Sequence, residues 1–452
     1  MILYNCKIIT WENPNRILDN HALRVEEDRI TEIDDAAILL DKYPFDEKMD
    51  AKGQFLMPGL ICAHTHFYGV FSRGMSTHGD APKDFVEILQ KLWWPLDQSL
   101  QKEDIYYSVL VCIIDAIKHG NTTIFDHHAS PNFIEGSLDV IEQAVRETGI
   151  RASLCYEVTD RGGEERADAG IAENIRMIKK VSKNPSGSLV TAMFGLHAGL
   201  TLSNSTLSKC SKAIPAGFGF HIHVAEHQSD EYDSLNNYGM RVVDRLGKYG
   251  ITGEDSIFVH GVHLDNQEIE IIKETGTWLT HQPRSNMNNA VGMADAESIV
   301  RYGVPVCIGN DGFSFAMWDE WRSCYLSHKL WKRDPRAMNG DLVIKMGAYN
   351  NGKLASHFFK DNIGMISPGA KADLILVDYC PITELNEGNL PWHILFGFRD
   401  SMVTMTMVNG VVLMKDRQLI GINEQEVSNR ARELSKDVWK RYNTQFKDQE
   451  DI

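Results

Sequence analysis

The sequence predicts an α/β chain: a (β/α)8 TIM barrel with a small β-sandwich module formed by the N- and C-terminal segments. Three observations carry this. From Pro58 onward, eight apolar runs alternate with helical patterns over roughly 250 residues, the repeat of a (β/α)8 barrel. The two ends of the 452-residue chain have a different texture, short alternating strands broken by turn signals. Polar residues also recur at the carboxyl ends of the apolar runs all the way round, which an open doubly wound sheet fits less well.

In chain order, residues 1–56 read as short strands and turns, among them Ile2 to Ile9, His21 to Ile33 and Gln54 to Met57. Strand candidates follow at 59–66, 121–127, 150–157, 188–196, 217–224, 256–260, 277–281 and 304–310. Helical patterns between them are clearest at 102–119, 136–148, 169–183, 264–275 and 294–302. After a helical stretch near 341–359, strands return at 372–378, 403–408 and 411–414, the last two joined by Asn409-Gly410 as a hairpin turn. Residues 424–446 read as a charged amphipathic helix. The expected units are 1–57 and 361–423, pairing into one β-module, a barrel over 58–360, and a helix with its tail over 424–452.

Apolar residues at 43% allow a full core, and 24% charged residues are ordinary for a soluble protein. A net charge of −16 argues against a nucleic-acid backbone or an anionic membrane as partner, since both would repel it. The N-terminus lacks the basic and apolar regions of a signal peptide, and no apolar run approaches a membrane span. Eight scattered cysteines without a C-x-x-C read as buried free thiols in a reducing cytoplasm. A cytoplasmic chain, homodimeric on general grounds, is expected.

The stretch that organises the chemistry is Met57-Pro-Gly-Leu-Ile-Cys-Ala-His-Thr-His66. In a buried strand, the two-residue period puts His64 and His66 on one side at its carboxyl end, where two imidazoles can share a metal ion. Alone, an H-x-H is weak among 17 histidines. The other strand ends strengthen it. The fifth carries His221, His223 and, three residues on, Glu226; the sixth ends in His260-Gly-Val-His263; the seventh ends in His281-Gln-Pro-Arg-Ser-Asn286. The eighth delivers Asp311 in Gly309-Asn-Asp-Gly312, beside the first strand once a barrel closes. So many ligating groups at one mouth point to a metal site.

The set H-x-H, H-x-x-E, H-x-x-H and N-D-G in this order resembles the amidohydrolase superfamily, in its aminohydrolase branch of nucleobase, adenosine-type and triazine deaminases and chlorohydrolases. Within that branch it is most similar to the SsnA-type aminohydrolases, a group associated with purine catabolism. The tail Gly364-Met-Ile-Ser-Pro-Gly-Ala-Lys-Ala-Asp-Leu-Ile-Leu-Val377 also resembles that family's β-module. The resemblance implies His64, His66, His223 and Asp311 as ligands of one divalent ion, zinc first, with iron(II) or manganese as alternatives. It implies Glu226 as proton shuttle and His260 as the residue that polarises the substrate or its leaving group, with Asp311 also touching the attacking water. The implied reaction is deamination of an amino-heterocycle, guanine or an oxidised purine first, by attack of metal-bound hydroxide. Removal of chloride or an alkylamine, or opening of a cyclic amide, is the alternative; a non-catalytic scaffold would show gaps among these residues, and none is seen.

Relatives with two metals bridge them with a lysine on the fourth strand, and Leu189-Val-Thr-Ala-Met-Phe-Gly-Leu-His197 has none, so a single ion is expected. The H-x-E with P-C-x-x-C of other zinc deaminases is absent. On the substrate side, His197 ends the fourth strand where the family places a substrate-contacting histidine. Asp97 falls where nucleoside-deaminating relatives carry a ribose-binding Glu, and its shorter side chain argues against a nucleoside. His127 and His128 end the second strand, one of them facing the mouth. Trp93 and Trp94 suit helical core packing better than a ring pocket. Arg284 brings a fixed cation that suits a carbonyl-rich ring or, equally, pairs with a carboxylate.

Overall fold

The computed structural model describes residues 1–183 and 188–450. Its centre is two arcs of parallel strands. Leu60–Thr65, Asn121–Asp126, Arg151–Leu154 and Val190–Ala192 pair in chain order in one arc. Phe194–Ala198, Phe220–Val224, Ile257–His260, Trp278–His281 and Val306–Ile308 pair in chain order in the other. The expected strand at 188–196 is thus split, because Met193 N donates to Leu154 O while the next amide, Phe194 N, donates to Gly219 O. The chain changes partners across one residue. At the far edge, Thr65 bridges Asp311 in parallel, with His66 N to Asp311 O at 3.2 Å and Asn310 N to His64 O at 3.0 Å. Gly309 permits that approach: a Cβ there would stand 2.7 Å from the backbone N and O of His64.

Helices follow the strands at Lys102–Lys118, Ser137–Thr148, Glu164–Val181, Asn204–Ala213, Asn266–Thr275, Ala296–Tyr302 and Met317–Lys332, among others. Asn266–Thr275 shows why the sequence starts and stops them where it does. Asp265 and Glu268 form a reciprocal capping box, and Gly276 ends the helix in the left-handed region at φ 70°. The strands are buried on both faces, as parallel strands covered by helices are, which is why they read as apolar runs rather than alternating ones.

The chain ends build two further sheets. A seven-stranded sheet runs Gln418–Leu419, Val411–Lys415, Val403–Val408, Leu374–Val377, Phe55–Pro58, Lys7–Ile9, Ile17–Leu18. A four-stranded sheet runs Arg29–Asp35, His21–Glu26, Ile2–Tyr4, Lys48–Asp50. Leu374–Val377 lies antiparallel to Phe55–Pro58, so the two ends of the chain do pair. Leu3, Leu23 and Val25 of one sheet share a core with Leu56, Leu374, Met405 and Met407 of the other. Asn409 and Gly410 both take positive φ, 50° and 74°, as the expected two-residue hairpin requires.

One N-terminal element departs from the strand-and-turn reading. Ala36–Lys42 is a helix, because the Asp35 side chain accepts from the amides of Ala37 and Ile38 and Leu39 buries against Ile2 and Ala22. The long terminal helix, Glu424–Glu450, docks by Trp439 Nε1 donating to Phe71 O at 2.8 Å and by Arg441 pairing with Asp104. Residues 451 and 452 of the expected tail lie outside the described residues. Among the described residues, no helix is long and apolar enough to cross a membrane.

Candidate metal centre and its cleft

The polar ends of the strands converge. His66 Nε2 lies 3.0 Å from Asp311 Oδ1 and 3.2 Å from His223 Nε2, and His64 Nε2 lies 3.4 Å from Asp311 Oδ1. Ligand atoms of His64, His223, His260 and Asp311 all fall within 4.8 Å of one another. His260 Nε2 is 3.3 Å from Glu226 Oε2. Three residues that hold this geometry, Ala225, His260 and Asp311, have positive φ of 50°, 75° and 56°. Such backbone costs about 1–3 kcal/mol per residue and gathers where a side chain must be aimed.

Each imidazole is turned by a partner on its other nitrogen. His66 Nδ1 donates to His127 O at 2.6 Å, His223 Nδ1 to His197 O at 2.8 Å, and His260 Nδ1 to Asn286 Oδ1 at 2.8 Å. Carbonyl acceptors require the proton on Nδ1, so Nε2 carries a lone pair. His64 Nδ1 meets His221 Nε2 at 3.0 Å. Asp311 Oδ2 accepts from Ser285 Oγ at 2.5 Å, and Ser285 Oγ in turn accepts from Asn289 Nδ2 at 3.2 Å.

That arrangement sets the fit for a cation. Two imidazole lone pairs face each other 3.2 Å apart beside a carboxylate, and His64 Nε2 and His260 Nε2 are buried with no hydrogen-bond partner among the described residues. A positive ion at the centre satisfies all of them. The electrostatics say the same. Burial pushes His64 down to about 3, Asp311 only partly opposing it. Burial also works against charge on His66, yet Asp311 and Glu157 outweigh it and raise that ring to about 9, so a proton is drawn to this spot. Burial raises Asp311, but the neighbouring His64 and His66 prevail and hold it well below the usual carboxylate range. Glu226 goes the other way: burial, reinforced by Asp311, raises it well above its ordinary value.

A cleft open to solvent leads to these groups. His66, His223, Glu226 and Asp311 line it at depth, and Phe85, Leu89, Trp93 and Trp94 form an apolar wall. Asp97 and His197 line it as well. Asp97 Oδ2 accepts from Arg161 Nη2 at 2.8 Å, while Oδ1 has no partner among the described residues. His197 Nδ1 meets Thr201 Oγ1 at 2.7 Å. Trp93 and Trp94 thus stand on the cleft rather than wholly in a helical core.

Three expected substrate contacts lie elsewhere. His127 is held on both nitrogens, Nδ1 by Glu157 at 2.9 Å and Nε2 by His221 O at 2.9 Å, behind the cleft. His128 bonds Ser130 Oγ at 2.9 Å and is fully buried away from the cleft wall. Arg284 pairs with the buried Glu320 and donates to Ser314 O, the carboxylate alternative, and takes no part in lining the cleft.

Sequence reading passed over Glu157, Arg161 and Ser285. Glu157 is 2% exposed, lines the cleft and holds His127, while His66 Nδ1 and His197 Nε2 lie at 3.5 and 4.0 Å. Its position at the end of the expected strand 150–157 was the available signal. Ser285 stood in the strand-end run 281–286, but nothing there named Asp311, 26 residues on, as its partner; Arg161 had no signal, its partner lying 64 residues away.

Comparison with known proteins agrees with the geometry. Residues 55–413 match the profile of the amidohydrolase family, and the chain belongs to that family. It is a hydrolase acting on C–N bonds other than peptide bonds. Over 449 residues it is 29% identical to a 5′-deoxyadenosine deaminase of Methanosarcina mazei, covering 98% of this chain and 99% of the relative. A 5′-deoxyadenosine deaminase of Methanobrevibacter smithii is 31% identical over 427 residues, 92% of this chain and 93% of its own. A 5-methylthioadenosine/S-adenosylhomocysteine deaminase of Pelotomaculum thermopropionicum is 30% identical over 441 residues, 95% of this chain and 97% of its own. Among solved structures, an adenosine deaminase from Xanthomonas campestris with bound zinc superposes with a TM-score of 0.83 at 22% identity, covering 98% of both chains. That likeness shows the fold.

Proposed function

We propose that this chain is a metal-dependent hydrolytic deaminase of an adenosine-type 6-aminopurine. The single observation that carries the reading is the meeting of His64, His66, His223, Asp311, Glu226 and His260, of which His66, His223, Glu226 and Asp311 line the floor of one cleft. The names of the relatives replace the ring expected from sequence: they speak for 5′-deoxyadenosine, 5-methylthioadenosine and S-adenosylhomocysteine rather than guanine or an oxidised purine.

In this reading His64, His66, His223 and Asp311 hold one divalent ion, zinc first. When bound, the ion supplies Lewis-acid polarisation and lowers the pKa of a coordinated water toward neutrality. Glu226 is the proton carrier. Burial favours its protonated form, so Glu226 can deliver one proton to the ring nitrogen beside the reacting carbon, take a second from the attacking water and pass that one to the departing amine. His260, fixed by Asn286 with its Nε2 lone pair 3.3 Å from Glu226 Oε2, orients that carboxyl and the leaving group. The wall of Phe85, Leu89, Trp93 and Trp94 takes the purine face and an apolar 5′ substituent, excluding water from them. Asp97 Oδ1, without a partner of its own on the cleft wall, would accept from the sugar hydroxyls with Arg161 holding the carboxylate, which reverses the expectation that its shorter side chain argues against a nucleoside.

The same reading takes the two strand arcs as one closed (β/α)8 barrel over 58–360 and the terminal sheets as a β-sandwich over 1–57 and 361–423. It takes the protein as a cytoplasmic homodimer that acts in purine catabolism and binds neither nucleic acid nor membrane.

The test is ammonia release by metal-quantified protein against adenosine, 5′-deoxyadenosine, 5-methylthioadenosine, S-adenosylhomocysteine, adenine and guanine, with Glu226→Gln alongside. Release from an adenosine-type compound, reduced by roughly 10²–10⁴-fold in the variant, is expected for a lost general acid–base. Release from guanine alone, or silence from metal-loaded protein across the panel, overturns the substrate assignment.

A further inference from the structure

A second cluster of ligating side chains lies outside the cleft, between the strand Trp278–His281 and the helix Met317–Lys332. His281 closes the strand. Cys324 and His328 stand four residues apart on the helix, so its 3.6-residue period puts them on one face, a turn apart. All three are buried, His281 at 1% exposure and the others at 0%. One ligand atom from each lies within 4.8 Å of the other two, and the two imidazoles cross edge to face at 5.2 Å.

His281 is the anomaly. Neither of its ring nitrogens has a hydrogen-bond partner among the described residues. An unpaired buried polar atom costs about 1–3 kcal/mol, and here one ring carries two. His328 has the opposite difficulty: Nδ1 lies 3.0 Å from Cys324 O and Nε2 3.1 Å from Ala294 O. A neutral ring has one N–H and can satisfy only one carbonyl. A cation between the three side chains relieves both: it takes one lone pair from each imidazole and the sulfur as thiolate, so one His281 nitrogen gains a partner and His328 keeps its single N–H for one carbonyl. Binding releases the thiol proton to solvent and changes no oxidation state.

We infer that His281, Cys324 and His328 form a second metal site, separate from the cleft, that takes a zinc-like ion through two imidazoles and one thiolate. Its role is a brace. The helix it ties to the strand also carries Glu320, which holds Arg284, and Arg284 neighbours Ser285 and Asn286, the partners of Asp311 and His260. The inference stands whether or not the proposed substrate is correct.

Protein produced in cobalt-supplemented medium decides it. A thiolate bound to cobalt(II) gives an intense near-ultraviolet charge-transfer band, which the imidazole and carboxylate groups of the cleft cannot produce. The band is expected in the wild-type protein, lost in Cys324→Ser and in His328→Gln, and retained in Cys380→Ser, which removes the exposed cysteine. Zinc content is expected to fall by about one ion per chain in Cys324→Ser. A wild-type cobalt protein without the band overturns the site even if the variants fail to fold, and so does a band that survives Cys324→Ser.

Discussion

Ser285→Ala tests how far the candidate centre depends on a residue that touches no ion and no substrate. Ser285 Oγ donates to Asp311 Oδ2 at 2.5 Å, a hydroxyl on a carboxylate. Hydrogen bonds to charged groups contribute about 1.5–3 kcal/mol. Removing this one frees the Asp311 carboxylate to rotate away from His64 and His66, 3.4 and 3.0 Å from its other oxygen. At 1.4 kcal/mol per decade, the loss converts to roughly ten- to hundredfold weaker metal binding, the range seen for partners of metal ligands in general. Competition with a chromophoric chelator reads the affinity directly. Thermal melts with and without added zinc read it through linkage, since a ligand stabilises in proportion to the logarithm of its concentration over Kd. The metal-dependent part of the stability should shrink by about 1.5–3 kcal/mol while the metal-free melt stays close to wild type. Affinity within twofold of wild type would refute the claim that Ser285 aims Asp311.

Two further predictions follow from other parts of the structure. Burial pushes Asp97 up to about 6, with Arg161 opposing the rise. Between 3.8 and about 6 the folded chain therefore binds this proton more readily than the unfolded one, so the group adds no acid-side loss of stability. Its effect falls on binding: as pH drops through about 6, Asp97 loses the charge that holds Arg161, and KM for a nucleoside should rise. Asp97→Asn should flatten that limb, and an unchanged limb in a pH–KM profile would refute the role. Arg151 and Asp373 form a fully buried pair at 3.0 Å between the parallel strand Arg151–Leu154 and the terminal sheet. Arg151→Met should cost about 3–5 kcal/mol in urea unfolding by stranding the carboxylate, and adding Asp373→Leu should recover much of it. A single-variant loss below about 1 kcal/mol would show that the two units do not depend on this pair.

The sequence by itself determined the order of elements and the groups offered to chemistry. Parallel strands buried on both faces leave apolar runs, and a ligand at a strand end stands out against such a run, so His64, His66, His223, His260 and Asp311 were legible with their strands. The Asn409-Gly410 turn and the capped helix at Asn266–Thr275 were legible because their signals are local. Ala36–Lys42 was missed because its cap is a single aspartate and its apolar face a single leucine.

Tertiary structure alone decided which way side chains turn. Histidines at the end of one strand and the start of the loop after it look alike in sequence, yet His127 is spent on Glu157 and a carbonyl while His66 and His223 face the centre. Arg284 found Glu320, Asp97 found Arg161, and Cys324 found His281, across 36, 64 and 43 residues of chain respectively. Hydrogen bonds and ion pairs depend on distance in space, and no period in the sequence records a partner brought near only by the closing of the fold.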